Sequence, residues 1–125
     1  MSSIYPPHYP VNCIDDSIST FCHTMPDTED PWLSILLPNS SQVSYVVIYN
    51  RRDCCQDRLS PMQLWVSNSS GDFSSPTAQS CGIDEVNLTT IATEGPFSFR
   101  CADSIGNPLT GDFLTLVLPL SLIHI

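Results

Sequence analysis

Apolar positions along this chain recur at a spacing of two, the period of a strand with one buried face. Gln42 to Asn50 (QVSYVVIYN) is dense in β-branched and aromatic residues, and Met62 to Asn68 (MQLWVSN) alternates apolar with polar. Pro96 to Cys101 (PFSFRC) puts Phe97 and Phe99 on one face, and Gly111 to Leu118 (GDFLTLVL) sets Phe113, Leu114 and Leu116 among threonine. Trp32 to Leu37 (WLSILL) adds a short apolar run bounded by prolines. No window carries a sustained apolar stripe at helical spacing, and 11 prolines with many serine and asparagine clusters break the chain too often for one. Five or six short strands separated by turn signals predict an all-β fold, a β-sandwich or jelly roll. Three loops then carry the unusual chemistry: Cys13 to Asp30, Arg51 to Ser60 and the serine-rich Ser67 to Ser80. On a sandwich, functional residues sit on such loops at one end of the strands.

Composition narrows the partner. A chain of 125 residues, 42% apolar and 14% charged, is one domain with a core of its own. A formal net charge of -9 and a pI near 4.2 repel phosphate, which argues against nucleic acid or an anionic membrane surface. No apolar stretch is long enough to span a bilayer, and there is no internal repeat. Six cysteines, no lysine, and N-x-S/T triplets at Asn39, Asn68 and Asn87 together indicate an oxidising, extracellular setting. The N-terminus, MSSIYPPHYP, has neither the basic nor the apolar region of a signal peptide, so the chain is expected to be one module of a longer secreted protein, or a fragment whose true start is missing. Its last six residues, Leu120 to Ile125 (LSLIHI), resemble a translated sequencing adapter. The expected domain is therefore residues 1–119, with 120–125 a non-native tail.

Against that acidic background, YNRRDCCQDRL gathers three of the four arginines around two adjacent cysteines. Adjacent cysteines ordinarily bond to two different partners, because bridging neighbours strains the intervening peptide. A Cys54–Cys55 bridge would instead give a small, rigid, apolar plate, suited to one face of a sugar ring. Zinc fits the residue types but not the spacing, since adjacent thiolates lack the two-to-four-residue spacer of a tetrahedral site. Arg51 and Arg58 flank the pair, with Asp53 and Asp57 near enough to orient them. Their planar forks can serve vicinal hydroxyls or simply pair with surface acids. His23 stands alone in CHTMPDTEDPW. Asp15, Asp16, Ser17 and Ser19 offer hard oxygens suited to calcium, or equally a solvated turn.

Taken together, C-H-T, then D-P-W, then a β-branched strand ending N-R-x-D-C-C-x-x-R-L resemble the F-type lectins, or fucolectins, from about Asn12 to Pro119. The resemblance implies a discoidin-like, galactose-binding-like jelly roll that binds terminal α-L-fucose on glycans and holds calcium in a structural loop. It implies that His23, Arg51 and Arg58 hydrogen-bond the sugar, with Asp53 between the arginines, and that Cys54 and Cys55 form a vicinal disulfide against its ring. Cys81 and Cys101 occupy positions like those of the family's long-range disulfide, and Asp15, Asp16 and Ser17 those of its calcium loop. Tyr5, His8 and Phe21 are the nearest candidates for the walls of a methyl pocket.

Departures accompany the match. Arg52 replaces the glycine usual between arginine and aspartate, His23 lies one residue farther from D-P-W, and the usual D-G-N of the calcium loop reads Asp15, Asp16, Ser17. The family's last strand has no counterpart after Pro119, so the fold is expected to lack its terminal strands. That leaves Cys22 without its usual partner and Cys13 as an extra thiol or a replacement. The competing functions are an extracellular protein-interaction module on the same scaffold and a glycosidase using Asp15 with Asp27 or Glu29. For the latter, 13 acidic residues supply such pairs by chance, so a non-enzymatic, calcium-stabilised lectin is the expectation, gaining avidity from several modules or oligomers.

Overall fold

The computed structural model describes residues 1–17, 19–25, 29–50, 52, 54, 62–81 and 96–118. Its strands are β1 (Trp32–Val43), β2 (Tyr45–Ile48), β3 (Gln63–Ser67), β4 (Gln79–Ser80), β5 (Phe97–Arg100) and β6 (Leu109–Val117). One 3-10 turn spans Pro10–Cys13, and there is no α-helix among the described residues. β1, β6, β3 and β4 form one antiparallel sheet in that order; β2 and β5 form a second, also antiparallel. Side chains from both sheets meet in one core, where Val43, Val46, Leu64, Val66 and Leu109 are buried with Cys81 and Cys101. This is the expected β-sandwich.

The predicted strand Gln42 to Asn50 breaks at Ser44, and burial explains why. Val43 and Val46 are both core residues, yet an odd separation puts them on opposite faces of any continuous strand. Ending β1 at Val43 and starting β2 at Tyr45 in the other sheet turns both valines inward. The Ser44 carbonyl at the crossing accepts from the Cys101 N–H at 2.8 Å. β4 lies inside the segment expected to be a loop; two polar residues give no alternation to detect.

β1 also runs past Pro38. Leu36 pairs with Phe113 and Ser41 with Gly111, so the bulge Leu37 to Ser40 stands opposite Asp112 alone. Asn39 and Ser40 take left-handed φ values of 51° and 49° there, and Ser40 Oγ donates to Asp112 Oδ1 at 2.6 Å. The bulge accommodates Pro38, which has no N–H for a ladder.

Register defines two poles. Trp32 and Gln63 both pair with Val117 at one. Beneath that pole Met62 and Leu118 are fully buried, packed against Ile48, Phe97, Phe99 and Leu116. Leu36 and Ser67 both pair with Phe113, toward the other. Because β2 ends at Ile48 and β3 begins just after Met62, the connection carrying the arginines leaves and re-enters the sandwich at the first pole. The Cys81–Cys101 disulfide, spanning 20 residues, joins the end of β4 in one sheet to the end of β5 in the other. It is the pairing the resemblance implied.

Candidate functional site

Residues 2–17 and 19–25 form a platform at the first pole. Ser2 ties it to the start of β1, its N–H donating to the Trp32 carbonyl at 2.9 Å while its Oγ accepts from the Trp32 N–H at 3.0 Å. The quartet Tyr5-Pro6-Pro7-His8 makes a tight turn, closed by the His8 N–H to the Tyr5 carbonyl at 2.9 Å. Two further backbone bonds dock that turn onto His23: Tyr5 N–H to the His23 carbonyl at 2.9 Å, and His23 N–H to the His8 carbonyl at 3.2 Å. Residues 15 or more apart in sequence thereby become neighbours.

Four rings gather as a result. His8 stacks on Phe21 at 4.1 Å between centroids, and Tyr5 lies 5.0 Å from His23. His23 also has His8 at 5.9 Å and Phe21 at 6.3 Å. His23 is 5% exposed, and its Nδ1 lies 2.6 Å from the Thr24 carbonyl oxygen. A carbonyl only accepts, so Nδ1 carries a proton and donates it to Thr24. Burial and this short bond fix the orientation of the ring. Tyr5, His8 and Phe21, candidates from sequence position alone, are thus brought together with His23; the signal in the chain is Y-P-P-H, a turn dipeptide flanked by aromatics.

A Cys13–Cys22 disulfide fastens the platform next to His23, making Cys13 the replacement partner. Asn12 Nδ2 adds a bond to the Phe21 carbonyl at 3.3 Å. Inside the disulfide loop, Asp15 accepts the Ser17 N–H at 3.0 Å on Oδ1 and the Thr20 hydroxyl at 2.5 Å on Oδ2. Asp16 is left-handed at φ 60°, and Ser17 Oγ meets Ser19 Oγ at 2.8 Å. The oxygen chemistry of Asp15, Asp16 and Ser17 suits a hard cation. Among the described residues, however, no group of three or more His, Cys, Asp or Glu is placed to hold a metal ion, and calcium takes six to eight oxygens. These three residues alone are too few ligands.

Of the arginine loop, Arg52 and Cys54 are described, and both are exposed. Cys54 is disulfide-bonded. Arg51, Asp53, Cys55, Asp57 and Arg58 lie outside the described residues, as does Asp27 of the glycosidase alternative and the tail at 120–125.

A family model described as NedA-like, galactose-binding domain matches residues 12–101. Fucolectin-6 of Anguilla japonica is 28% identical over 90 residues, covering 72% of this chain and 42% of that protein. Fucolectin-4 of the same species is 27% identical over 112 residues, covering 86% of this chain and 58% of that one. The chain therefore spans about two fifths to three fifths of the length of these relatives. Among solved structures, a fucolectin from striped bass (Morone saxatilis) serum superposes with a TM-score of 0.76 at 22% identity, covering 99% of this chain and 42% of that one. The expected resemblance and the discoidin-like jelly roll are borne out by these matches.

Proposed function

The chain belongs to the family of NedA-like, galactose-binding domains, and from that premise we propose that it is a lectin domain that binds terminal α-L-fucose without cleaving it. The observation that carries the proposal is the buried, firmly oriented His23 ringed by Tyr5, His8 and Phe21, at the pole where the arginine loop leaves the sandwich. Fucose is a neutral polyol with one apolar corner, its C6 methyl. Arg51 and Arg58 supply forked donors to its hydroxyls and ring oxygen, with Asp53 orienting them, and His23 adds a hydrogen bond from its imidazole. The Cys54–Cys55 bridge is the apolar floor of the sugar, and the ring platform takes the methyl group. The similar proteins named fucolectins support the choice of fucose.

Such a site is small and polar, so one domain binds weakly and avidity comes from repeated modules or oligomers of a longer secreted protein. The Cys13–Cys22 and Cys81–Cys101 disulfides agree with that extracellular setting. Calcium enters as a stabiliser of the Asp15 loop, where Asp15, Asp16 and Ser17 would contribute oxygens and residues outside the described set the remainder. A higher melting temperature in calcium than in chelator is expected; identical melting curves would remove the metal from the account.

On a glycan array the protein should retain fucosylated glycans and release them to free L-fucose. Arg51→Ala and Arg58→Ala should each weaken binding by about ten- to a hundredfold, the equivalent of ~1.5–3 kcal/mol for a charged hydrogen bond. Equally strong binding to glycans that lack fucose would sink the proposed specificity.

A second reading rests on the outer face of the β2–β5 ribbon, which exposes Tyr45 and Val47, with Tyr49 just beyond, beside Arg100 opposite Tyr45. Tyrosine and arginine are enriched in protein interfaces, so a protein partner on this face is the alternative. Sugar binding that survives Tyr45→Ala and Tyr49→Ala, while binding to a protein partner is lost, would establish it as a separate function.

A further inference from the structure

The triplets Asn39-Ser40-Ser41 and Asn68-Ser69-Ser70 are absorbed neither by the core nor by the proposed sugar site. Both asparagines are exposed, and register places them at one end of the same sheet. Asn39 stands in the bulge opposite Asp112, and Asn68 follows Ser67, the partner of Phe113. Val117, level with the first pole, is five residues from Asp112 along β6, or about 17 Å at a strand's rise. Both asparagines thus sit at the pole opposite the ring platform.

Asn39 has a further property. Its φ of 51° lies in the left-handed region, which lifts the backbone out of the ladder and which asparagine tolerates better than most residues. The bulge interrupts β1, an edge of the four-stranded sheet among the described strands. A bulky polar group there would block pairing of that edge with another chain, a role natural edges give to bulges and charges.

We infer that Asn39 and Asn68 are N-glycosylation sites, and that the chain carries its own glycans on the pole facing away from the sugar-binding loops. The inference rests on the extracellular part of the proposed function, because side-chain amide glycosylation of N-x-S/T occurs in the secretory route. Its geometry has a direct benefit for a lectin: glycans at this pole are attached away from its own site.

The test is to secrete the full chain from an N-glycosylating cell and map occupancy by peptide mass spectrometry before and after enzymatic deglycosylation. Both asparagines should be occupied, and Asn39→Asp and Asn68→Asp should each lose the mass of one glycan. Aspartate preserves tolerance of the left-handed backbone, and Ser41→Ala and Ser70→Ala, which keep the asparagines, should lose the same glycans. Fucose binding should be unchanged in every variant and after deglycosylation. Bare asparagines on secreted, disulfide-bonded protein overturn the inference, and so does a loss of fucose binding on deglycosylation. Occupied sites on protein that binds no fucosylated probe would uphold it while removing the lectin proposal.

Discussion

Two segments outside the strands are ordered by opposite means. The platform of residues 2–17 and 19–25 is held by the Cys13–Cys22 disulfide, by rings stacked on one another and by backbone bonds that reach out to Trp32. The serine-rich loop from Asn68 to Ala78 is held largely by its own carboxylate. Asp72 accepts the Ser75 hydroxyl at 2.5 Å and the Ser75 and Ser74 N–H groups at 3.0 and 3.2 Å. The loop is also anchored to the strands, at Gly71, whose N–H donates to Ser34 Oγ at 2.7 Å beneath the Trp32 ring, and at Ser69, whose carbonyl accepts from Ser67 Oγ at 2.8 Å. The first arrangement presents ring faces and a fixed imidazole; the second hides nothing chemical and completes the packing over β1. Order bought with aromatic side chains and a cross-link points to a binding surface, whereas a self-capped turn points to structure.

The sharpest way to break this contrast is to open the platform. Cys13→Ser with Cys22→Ser should cost about 2–3 kcal/mol by the loop-entropy rule, and it should weaken fucose binding as well, because Cys22 adjoins His23. Thermal melts and sugar titration on the same protein check both; a large stability loss with untouched binding would separate the platform from the site. Next in size is Gly71→Ala. A Cβ at that position would lie 2.5 Å from Trp32 Cζ2 on a backbone with φ of 70°, so a loss of about 1–3 kcal/mol is expected with fucose binding unchanged.

The smallest effect belongs to Asp72. Its carboxyl is held below the usual range, first by the Ser75 hydroxyl and then by the Ser75 and Ser74 N–H groups. A folded-state value below the unfolded one means that the group's contribution is present above the unfolded pKa and fades as pH falls through the folded one. The carboxylate is fully exposed, so the contribution is small. Asp72→Asn should therefore flatten a slight acid-side slope in melting temperature and leave neutral-pH binding alone. An unchanged slope would show that this turn does not depend on the charge.

The strands were legible because period-two alternation needs only local sequence: Gln63 to Ser67, Phe97 to Arg100 and Leu109 to Val117 fall on the segments that the pattern marks. The break at Ser44 was not, since it depends on which two valines share a core across sheets. The Cys13–Cys22 pairing stayed open for a similar reason, as six cysteines permit many pairings. At the proposed site, the motif singles out His23. The company it keeps was much less legible, because Tyr5 and His8 reach it through backbone bonds across a proline turn.

The central claim is that the ring platform reads the apolar corner of the sugar, and comparing L-fucose with L-galactose tests it most directly. The two share every hydroxyl configuration and differ only at C6, a methyl in one and a hydroxymethyl in the other. Calorimetric titration should give fucose the tighter Kd by about fourfold, as burial of one methyl-sized group at ~0.8 kcal/mol implies, and Phe21→Ala should shrink the gap. Equal affinity for the two sugars, or a gap that Phe21→Ala leaves intact, would contradict the account.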